Sequence, residues 1–305
     1  MRRLYAAAIV VTLSGCSDQV TGPPSARMAP SPLAAKSGAH VPVVHIIYLV
    51  PSDVGVRRDY VQNLRDAAVN LQAWYNDALG IGETFTLANP TVEVQRTERT
   101  AAAYTTDPVA GADQSLWFWF NATGDGFAAT GGSFNDPDDI WVFYIDALPG
   151  CGQVTGGVAS VALLPANDLR GLAGEPTTNP CTGQVEPTLG PCRWVGGLGH
   201  ELGHALGLPH PPGCESGSPD CPMNALMWLG YLTYPTTFLT ANDQAILGQS
   251  AFIGTTKLPK KVPACESIGS TAVMGLEATR LLRARLHRTT TSVVCPYQTL
   301  LAASR

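Results

Sequence analysis

One short segment carries most of the residues in this chain that are suited to chemistry. Residues 200–210 read HELGHALGLPH and contain three of the six histidines of the sequence. On a helix, His200 and His204 lie one turn apart on the same face, so both imidazoles can reach one metal ion. Gly207 tolerates the positive φ that ends a helix, and the chain then brings His210 back as a third ligand.

These ligands predict one catalytic zinc ion. Three neutral imidazoles with an open fourth position are typical of catalytic zinc sites, whereas structural sites are closed by four protein ligands. Zinc lowers the pKa of a bound water to about 7. Glu201 is offset from His200 by about 100° around the helix, so it can accept a proton from that water and deliver it to a leaving amine. The pattern therefore predicts hydrolysis of an amide bond with Glu201 as the general base.

The pattern H-E-x-x-H-x-x-G-x-x-H resembles that of the metzincin clan of zinc metallopeptidases. The resemblance covers residues 41–255 in outline, and residues 199–210 and 224–227 specifically. Members of the clan carry a methionine turn beneath the zinc, and Met227 matches it better than Met223. The implied fold is α+β or α/β, a metzincin-like zincin fold with a twisted mixed sheet, an active-site helix and a C-terminal Met-turn subdomain.

The same resemblance implies where a peptide substrate would bind. In the clan, the peptide lies antiparallel to an edge strand above the zinc, and by order that strand is residues 158–164 here. Residues 228–238 would wall the pocket for the side chain that follows the cut. Some members place a tyrosine two residues after the methionine. Leu229 stands at that position, so Tyr231 is the candidate transition-state stabiliser, with Tyr234 nearby.

Alternating strand and helix patterns surround the motif and indicate an α/β sheet. Residues 57–79 have a helical apolar period that ends at Gly80, and residues 194–206 carry the motif on another helix. Residues 240–243 resemble the start of the C-terminal helix of matrixin-like and pappalysin-like members. The other predicted elements are strands at 41–50 and 140–145, strands or a hairpin at 84–87 and 91–95, a helix at 113–121 and a surface loop at 165–193.

The N-terminus predicts export and lipid anchoring. Arg2 and Arg3 precede a short apolar run, and residues 13–16 read LSGC, which resembles a bacterial lipobox. Cleavage before Cys16 and acylation of that residue would anchor the mature chain without a membrane-spanning helix. Ser17 favours the outer membrane or cell surface of a two-membrane bacterium.

Charge divides the chain into unlike parts. The net charge of −5 argues against a nucleic-acid partner. Residues 41–255 hold 7 basic and 21 acidic residues, a net of −14, whereas residues 256–305 carry a net of +6. The predicted organisation is a signal peptide at 1–15, a flexible tether at 16–40, a zinc metallopeptidase domain at 41–255 and a basic C-terminal tail of unassigned role at 256–305. The expected partners are a protein or peptide substrate and, through Cys16, the membrane.

Eight cysteines fit an oxidising compartment better than a reducing one. Near neighbours in the mature chain would pair first, which leaves one thiol over, although the sequence leaves other pairings open. The simplest arrangement is Cys181–Cys192, Cys214–Cys221 and Cys265–Cys295, with Cys151 unpaired.

The sequence is also compatible with two other functions and with one further ligand. A catalytically silent adhesion or binding lipoprotein would keep the fold, but it would not need the carboxylate of Glu201. A zinc amidase that acts on cell-wall peptides uses the same chemistry. Asp136, Asp138 and Asp139 offer hard oxygen ligands for calcium, and a solvated acidic turn is the simpler interpretation.

Overall fold

The computed structural model describes residues 42–270. The predicted signal peptide, Cys16, the tether and residues 271–305 of the tail lie outside the described residues. The strands are β1 (Val43–Val50), β2 (Thr84–Phe85), β3 (Leu87–Arg96), β4 (Asp139–Ile145), β5 (Gly156–Val158), β6 (Val161–Leu164), β7 (Thr177–Thr178), β8 (Val185–Glu186) and β9 (Ile253–Gly254). The α-helices are α1 (Arg58–Leu79), α2 (Trp117–Thr130), α3 (Ala166–Leu172), α4 (Pro191–Ala205) and α5 (Ala241–Leu247). Within 42–270, no helix combines the length and the apolar character needed to cross a membrane.

A five-stranded sheet with the order β3-β1-β4-β6-β5 lies at the centre of the described region. The first four strands in this order are parallel, and β5 runs antiparallel to β6 at one edge. In β1, Tyr48 pairs with Val94 on one side and with Tyr144 on the other. Parallel strands are covered on both faces, which explains why β1 and β4 read as nearly continuous apolar runs. The predicted mixed α/β architecture is confirmed.

Alternate residues of β1 point into hydrophobic clusters on opposite faces of the sheet. Ile46 and Tyr48 belong to the cluster that contains the apolar faces of α1 and α4. Ile47 and Leu49 belong to the cluster that contains α2. The sheet therefore holds α4, which bears the histidine motif, against one of its faces.

Local signals set the ends of the helices around the motif as predicted. α1 ends at Gly80, whose φ is 66° and whose N–H donates to Asn76. α5 begins with the capping box between Thr240 and Asp243. α4 ends just before Gly207, whose φ of 92° takes the chain out of the helix.

Two predicted connections are different in the structure. The strands predicted at 84–87 and 91–95 do not form a hairpin, because β3 pairs in parallel with β1 and β2 pairs with β9. The surface loop predicted at 165–193 contains α3, the β7–β8 hairpin and the first residues of α4. Short elements between Gly and Pro residues give little periodicity, so the composition of this segment masks them.

The second helix begins later than predicted and is longer. Residues 113–121 were expected to form it, but Asp113 caps a 3₁₀ turn at Gln114–Leu116 by accepting from the Ser115 N–H. α2 then starts at Trp117. The predicted start therefore falls on the residue that caps the preceding 3₁₀ turn, and the helix itself begins four residues later.

Three disulfides crosslink the described residues, which indicates an extracytoplasmic protein. They are Cys151–Cys181, Cys192–Cys265 and Cys214–Cys221. Only the Cys214–Cys221 prediction is confirmed. The predicted Cys181–Cys192 and Cys265–Cys295 pairs are wrong, because Cys192 on α4 bonds to Cys265 in the C-terminal segment across a sequence separation of 73. Cys151, predicted to be unpaired, bonds to Cys181.

The compact unit continues beyond the predicted domain boundary at residue 255 and reaches Ser270. Cys265 and Ile268 are buried in the main core. The Asn70 side chain on α1 donates to the Pro263 carbonyl at 2.8 Å. The first part of the predicted basic tail, residues 256–270, therefore packs as part of the domain.

Candidate metal centre

Three imidazoles converge at the C-terminal end of α4. His200 and His204 lie on this helix, and His210 returns beside them after the turn at Gly207. The His204 Nε2 atom lies 3.1 Å from that of His200 and 3.0 Å from that of His210. The His200 and His210 Nε2 atoms are 3.4 Å apart. The structure thus brings together the three ligands predicted from the motif.

Backbone carbonyls orient the first two imidazoles from their far sides. The Nδ1 atom of His200 donates to the Leu226 carbonyl at 2.8 Å, and that of His204 donates to the Leu208 carbonyl at 2.9 Å. Because a carbonyl oxygen only accepts, the proton of each neutral ring lies on Nδ1. The Nε2 lone pairs are therefore directed at the centre.

A carboxylate from a separate loop orients His210. Its Nδ1 lies 2.9 Å from a carboxylate oxygen of Glu215. Glu215 follows Cys214, whose disulfide with Cys221 closes the loop. A carboxylate in this place fixes the ring and increases the basicity of the ligand nitrogen. Sequence reasoning missed Glu215, although its position in a short disulfide-closed loop directly after the third histidine was a usable signal.

The donor set fits a metal ion. Burial and the nearby His204 lower the pKa of His200 to about 3, so this ring is neutral at pH 7. Nε2 lone pairs that face one another are stabilised by a cation between them. An ion with tetrahedral geometry and metal–nitrogen bonds of about 2.0–2.1 Å holds its ligand nitrogens about 3.3–3.4 Å apart, close to the separations found here. His200, His204 and His210 can therefore hold a metal ion.

A buried methionine supports the ligand helix from below. Met227 is fully buried, and a side chain at Gly203 would overlap its sulfur. Gly203 lies between His200 and His204, so Met227 packs against the turn that presents both ligands. Met223, the weaker sequence candidate, is 57% exposed and does not take this position.

Glu201 lies where the edge strand β5 crosses α4. A side chain at Gly157 would overlap the Glu201 carbonyl oxygen, so the two backbones approach closely only because this residue is glycine. The Gly157 N–H donates to the Glu201 carboxylate. Burial and the charge of Asp168 raise the pKa of Glu201 to about 8. Such a group can exchange a proton near neutral pH.

The edge strand itself corrects one prediction. Residues 158–164 do not form one strand, because Ala159 and Ser160 have φ values of 51° and 69° and make the two-residue turn between β5 and β6. The Ser160 N–H donates to the Ala205 carbonyl and fastens this turn to the end of α4. β6 is an inner strand, and β5 alone forms the edge on this side of the sheet. An edge strand has backbone groups available for an added extended segment.

A hollow of about 180 Å³ opens beside Glu201. Its lining includes Arg193, Asp168, His200 and Tyr231, and we call it the Arg193 hollow. The Arg193 guanidinium lies 4.8 Å from the centre of the Tyr231 ring, which is 5.2 Å from the His200 ring. The predicted pocket wall at 228–238 thus contributes Tyr231 to this hollow. Sequence reasoning missed Arg193 and Asp168, because nothing in their local patterns shows that α3 and α4 bring them together.

A second hollow of about 320 Å³ is lined by His204, His210 and Glu215. The Trp228 ring packs 5.3 Å from the His210 ring. Each of the two hollows is therefore lined by at least one of the three histidines.

The two tyrosines considered from the sequence have different surroundings. Tyr231 lines the Arg193 hollow next to His200. Tyr234 is buried, and its hydroxyl donates to the Asn70 side chain at 2.6 Å. Only Tyr231 is placed beside the metal centre, whereas Tyr234 anchors the loop to α1.

The acidic residues considered for calcium form a hydrogen-bonded turn. One Asp136 oxygen accepts from the N–H groups of Asp138 and Asp139, and the other accepts from the Trp141 indole. The clusters of metal-ligand type within residues 42–270 are the three histidines and a group whose two cysteines are disulfide-bonded to each other. The acidic-turn interpretation therefore accounts for these three residues.

Comparisons with known proteins give structural likenesses at low identity. No protein-family model and no curated protein matches the chain. The chain is 20% identical to wild-type OgpA from Akkermansia muciniphila, with 76% of this chain and 67% of that one covered and a TM-score of 0.47. For catalytically inactive OgpA in complex with an O-glycopeptide substrate, glycodrosocin, the identity is 21%, the coverage 72% and 63%, and the TM-score 0.45.

A structure of metalloproteinase-II from Bacteroides fragilis is 14% identical, with 68% of this chain and 52% of that one covered and a TM-score of 0.34. The chain thus spans between half and about two thirds of the length of these proteins. All three TM-scores are below 0.5, so the functional inference for this chain rests on its own side chains.

Proposed function

We propose that this protein is a zinc-dependent endopeptidase of the metzincin type that cuts proteins or peptides outside the cytoplasm. The main support for the proposal is that three Nε2 lone pairs converge on one point. Hydrogen bonds at all three Nδ1 atoms fix the rings in this arrangement. Zinc suits neutral imidazole ligands. A purely structural site would not need Glu201 in the hollow beside them, which favours a peptidase over a silent binding protein.

Each residue around the centre has a role in the proposed reaction. Zinc, when bound, supplies a Lewis acid and lowers the pKa of its water to about 7. Glu201 accepts the proton of the attacking water and donates it to the leaving amine. The open edge of β5 pairs with an extended peptide and orients it across the site. Tyr231 is the candidate donor to the oxyanion that forms on the substrate carbonyl.

We further propose that the protein is an exported lipoprotein held at the outer membrane or cell surface through Cys16. The lipobox-like LSGC sequence supports this, and the three disulfides support a compartment outside the cytoplasm. Metabolic labelling with a radioactive fatty acid should label the wild-type chain, whereas Cys16→Ser should abolish the label. Label on the variant would contradict anchoring at this residue.

The peptidase proposal is tested by cleavage of a proteome-derived peptide library. The purified disulfide-bonded protein should contain about one zinc ion per chain, and a chelator should stop cleavage until zinc is restored. Glu201→Gln should keep the metal and lose cleavage by at least about a hundredfold. Glu186→Gln, at an exposed acid on β8, is the matched control and should cleave normally.

The results separate the alternatives. Cleavage by Glu201→Gln at the wild-type rate would exclude this residue as the base. Metal-loaded wild type that cuts no peptide in the library would favour the silent binding protein. A panel that also contains cell-wall peptides and an O-glycopeptide would identify an amidase or a requirement for a modified substrate.

A further inference from the structure

The Arg193 hollow contains two opposite charges that do not pair with each other. Within residues 42–270, Arg193 makes neither a hydrogen bond nor an ion pair, and its guanidinium stacks on Trp194 at 4.2 Å and on Tyr231 at 4.8 Å. Asp168 is only 9% exposed, and its carboxylate has no hydrogen-bonding side-chain partner among the described residues. The Arg193 donors and a carboxylate that accepts only from its own backbone N–H among the described residues thus face the same space.

Gly197 leaves room for the Arg193 guanidinium beside Asp168 in the hollow. Gly197 lies one turn after Arg193 on α4, and Nη1 of Arg193 is 2.7 Å from the position that a Gly197 Cβ would occupy. The nearest oxygen of Asp168 is 3.6 Å from the same position. The absence of a side chain at Gly197 lets the guanidinium lie along the helix towards Glu201. The two aromatic rings hold it there.

This arrangement disfavours a charged ligand group. A carboxylate in the hollow would meet the carboxylate of Asp168 and the carboxyl of Glu201. An ammonium group would meet the guanidinium of Arg193. An uncharged group with an acceptor and a donor side by side would accept from Arg193 and donate to Asp168, which satisfies both.

We propose that Arg193 and Asp168 select an uncharged hydrogen-bonding side chain, a carboxamide or a hydroxyl, in the substrate residue that follows the cut. The hollow lies beside Glu201, so a side chain there belongs to the residue next to the reacting carbonyl. The inference rests on the proposed peptidase function. It goes beyond that function because it assigns a substrate class to two residues that take no part in metal binding.

The test is a set of quenched fluorescent peptides that differ only in the residue after the cleaved bond. That residue is Gln, Ser, Glu, Lys or Leu, within one sequence taken from a library peptide that the enzyme cuts. For the wild-type holoenzyme, kcat/KM should be highest for Gln or Ser, and Glu and Lys should be at least about tenfold poorer, since one unpaired or repelled buried charge has an effect of this size. A Gln optimum identifies the carboxamide and a Ser optimum the hydroxyl.

Two variants should change the preference in opposite directions. Arg193→Gln removes the positive charge and should raise kcat/KM for Lys relative to Glu by about tenfold or more, and Asp168→Asn should do the reverse. Arg58→Gln, at an exposed cation on α1, removes the same charge far from the hollow and should leave the preference unchanged. Zinc content and the melting temperature of each variant establish that it is folded. If Asp168→Asn does not fold, the Lys-to-Glu ratio of Arg193→Gln alone tests the inference.

The outcomes are distinct. A reciprocal change of preference supports the inference, because a loss of general stability would lower all five rates together. Best cleavage of the Leu peptide, or an unchanged Lys-to-Glu ratio in folded Arg193→Gln, overturns the inference and leaves the peptidase function intact. Absence of cleavage by the wild type in every library overturns both.

Discussion

Replacement of Glu215 by alanine is expected to weaken zinc binding about tenfold while all three ligands stay in place. Loss of a partner that hydrogen-bonds to a ligand costs about 10–100-fold in metal affinity. The Glu215 side chain is 67% exposed, against 17% for His210. Solvent screens an interaction at such a position, so the lower limit applies, which corresponds to about 1.4 kcal/mol.

The zinc dissociation constant is measured by competition with a chromogenic chelator at pH 7. Glu215→Gln keeps an oxygen acceptor but loses the charge, so its affinity should lie between those of Glu215→Ala and wild type. Asp220→Asn is the matched control, because it removes a charge from the same disulfide-closed loop at an exposed position. It should bind zinc as the wild type does.

Equal losses in Glu215→Ala and Asp220→Asn would mean that the net charge of the loop, and not the hydrogen bond to His210, supports the metal. Unchanged affinity in Glu215→Ala would refute the orienting role. Wild-type protein that binds no zinc would instead contradict the metal site itself.

Three further predictions concern stability. Gly203→Ala should lower the free energy of unfolding by about 1–3 kcal/mol in denaturant titrations, because the new methyl group overlaps the buried methionine sulfur; Gly124→Ala on α2 has open space and should not destabilise. The double variant Cys192→Ser with Cys265→Ser should lose about 2–5 kcal/mol in the same measurement, and an unchanged midpoint would show that the crosslink is dispensable. Burial raises the pKa of Asp168 from 3.8 to about 6, so the folded chain binds this proton more tightly than the unfolded chain. The contribution of this carboxyl group to the free energy of unfolding should be fully present below pH 4 and be lost as the pH rises through 6. Asp168→Asn should remove that part of the pH dependence. Identical pH profiles of wild type and variant would contradict the raised pKa of Asp168.

Local signals predicted the part of the site that depends on one helix. The spacing of His200 and His204 places both imidazoles on one face whatever the rest of the chain does. Gly207 and the capping box at Thr240 mark helix ends through their own backbone and side-chain preferences. These features are confirmed because each depends on residues within one or two helical turns.

Features without a recognisable local signal could not be predicted in this way. The turn at Ala159 and Ser160 has positive φ at both positions without the Asn or Gly that normally indicates it, so one strand was expected where two exist. The bond between Cys192 and Cys265 joins residues far apart in the sequence, and only the packing of the C-terminal segment on α4 selects it. Glu215 differs from these, because its place in the loop after His210 was a usable local signal for its contact with that ring.

The bond between Cys192 and Cys265 encloses the whole of the metal centre, from the first turn of α4 past α5. A single break of the backbone anywhere between these two cysteines leaves two fragments that remain one covalent molecule. In denaturing gel electrophoresis, such a nicked chain would migrate as one band without reductant and as two bands with reductant. Damage to an exposed loop between the two cysteines therefore need not release the ligand-bearing helix from the remainder of the domain.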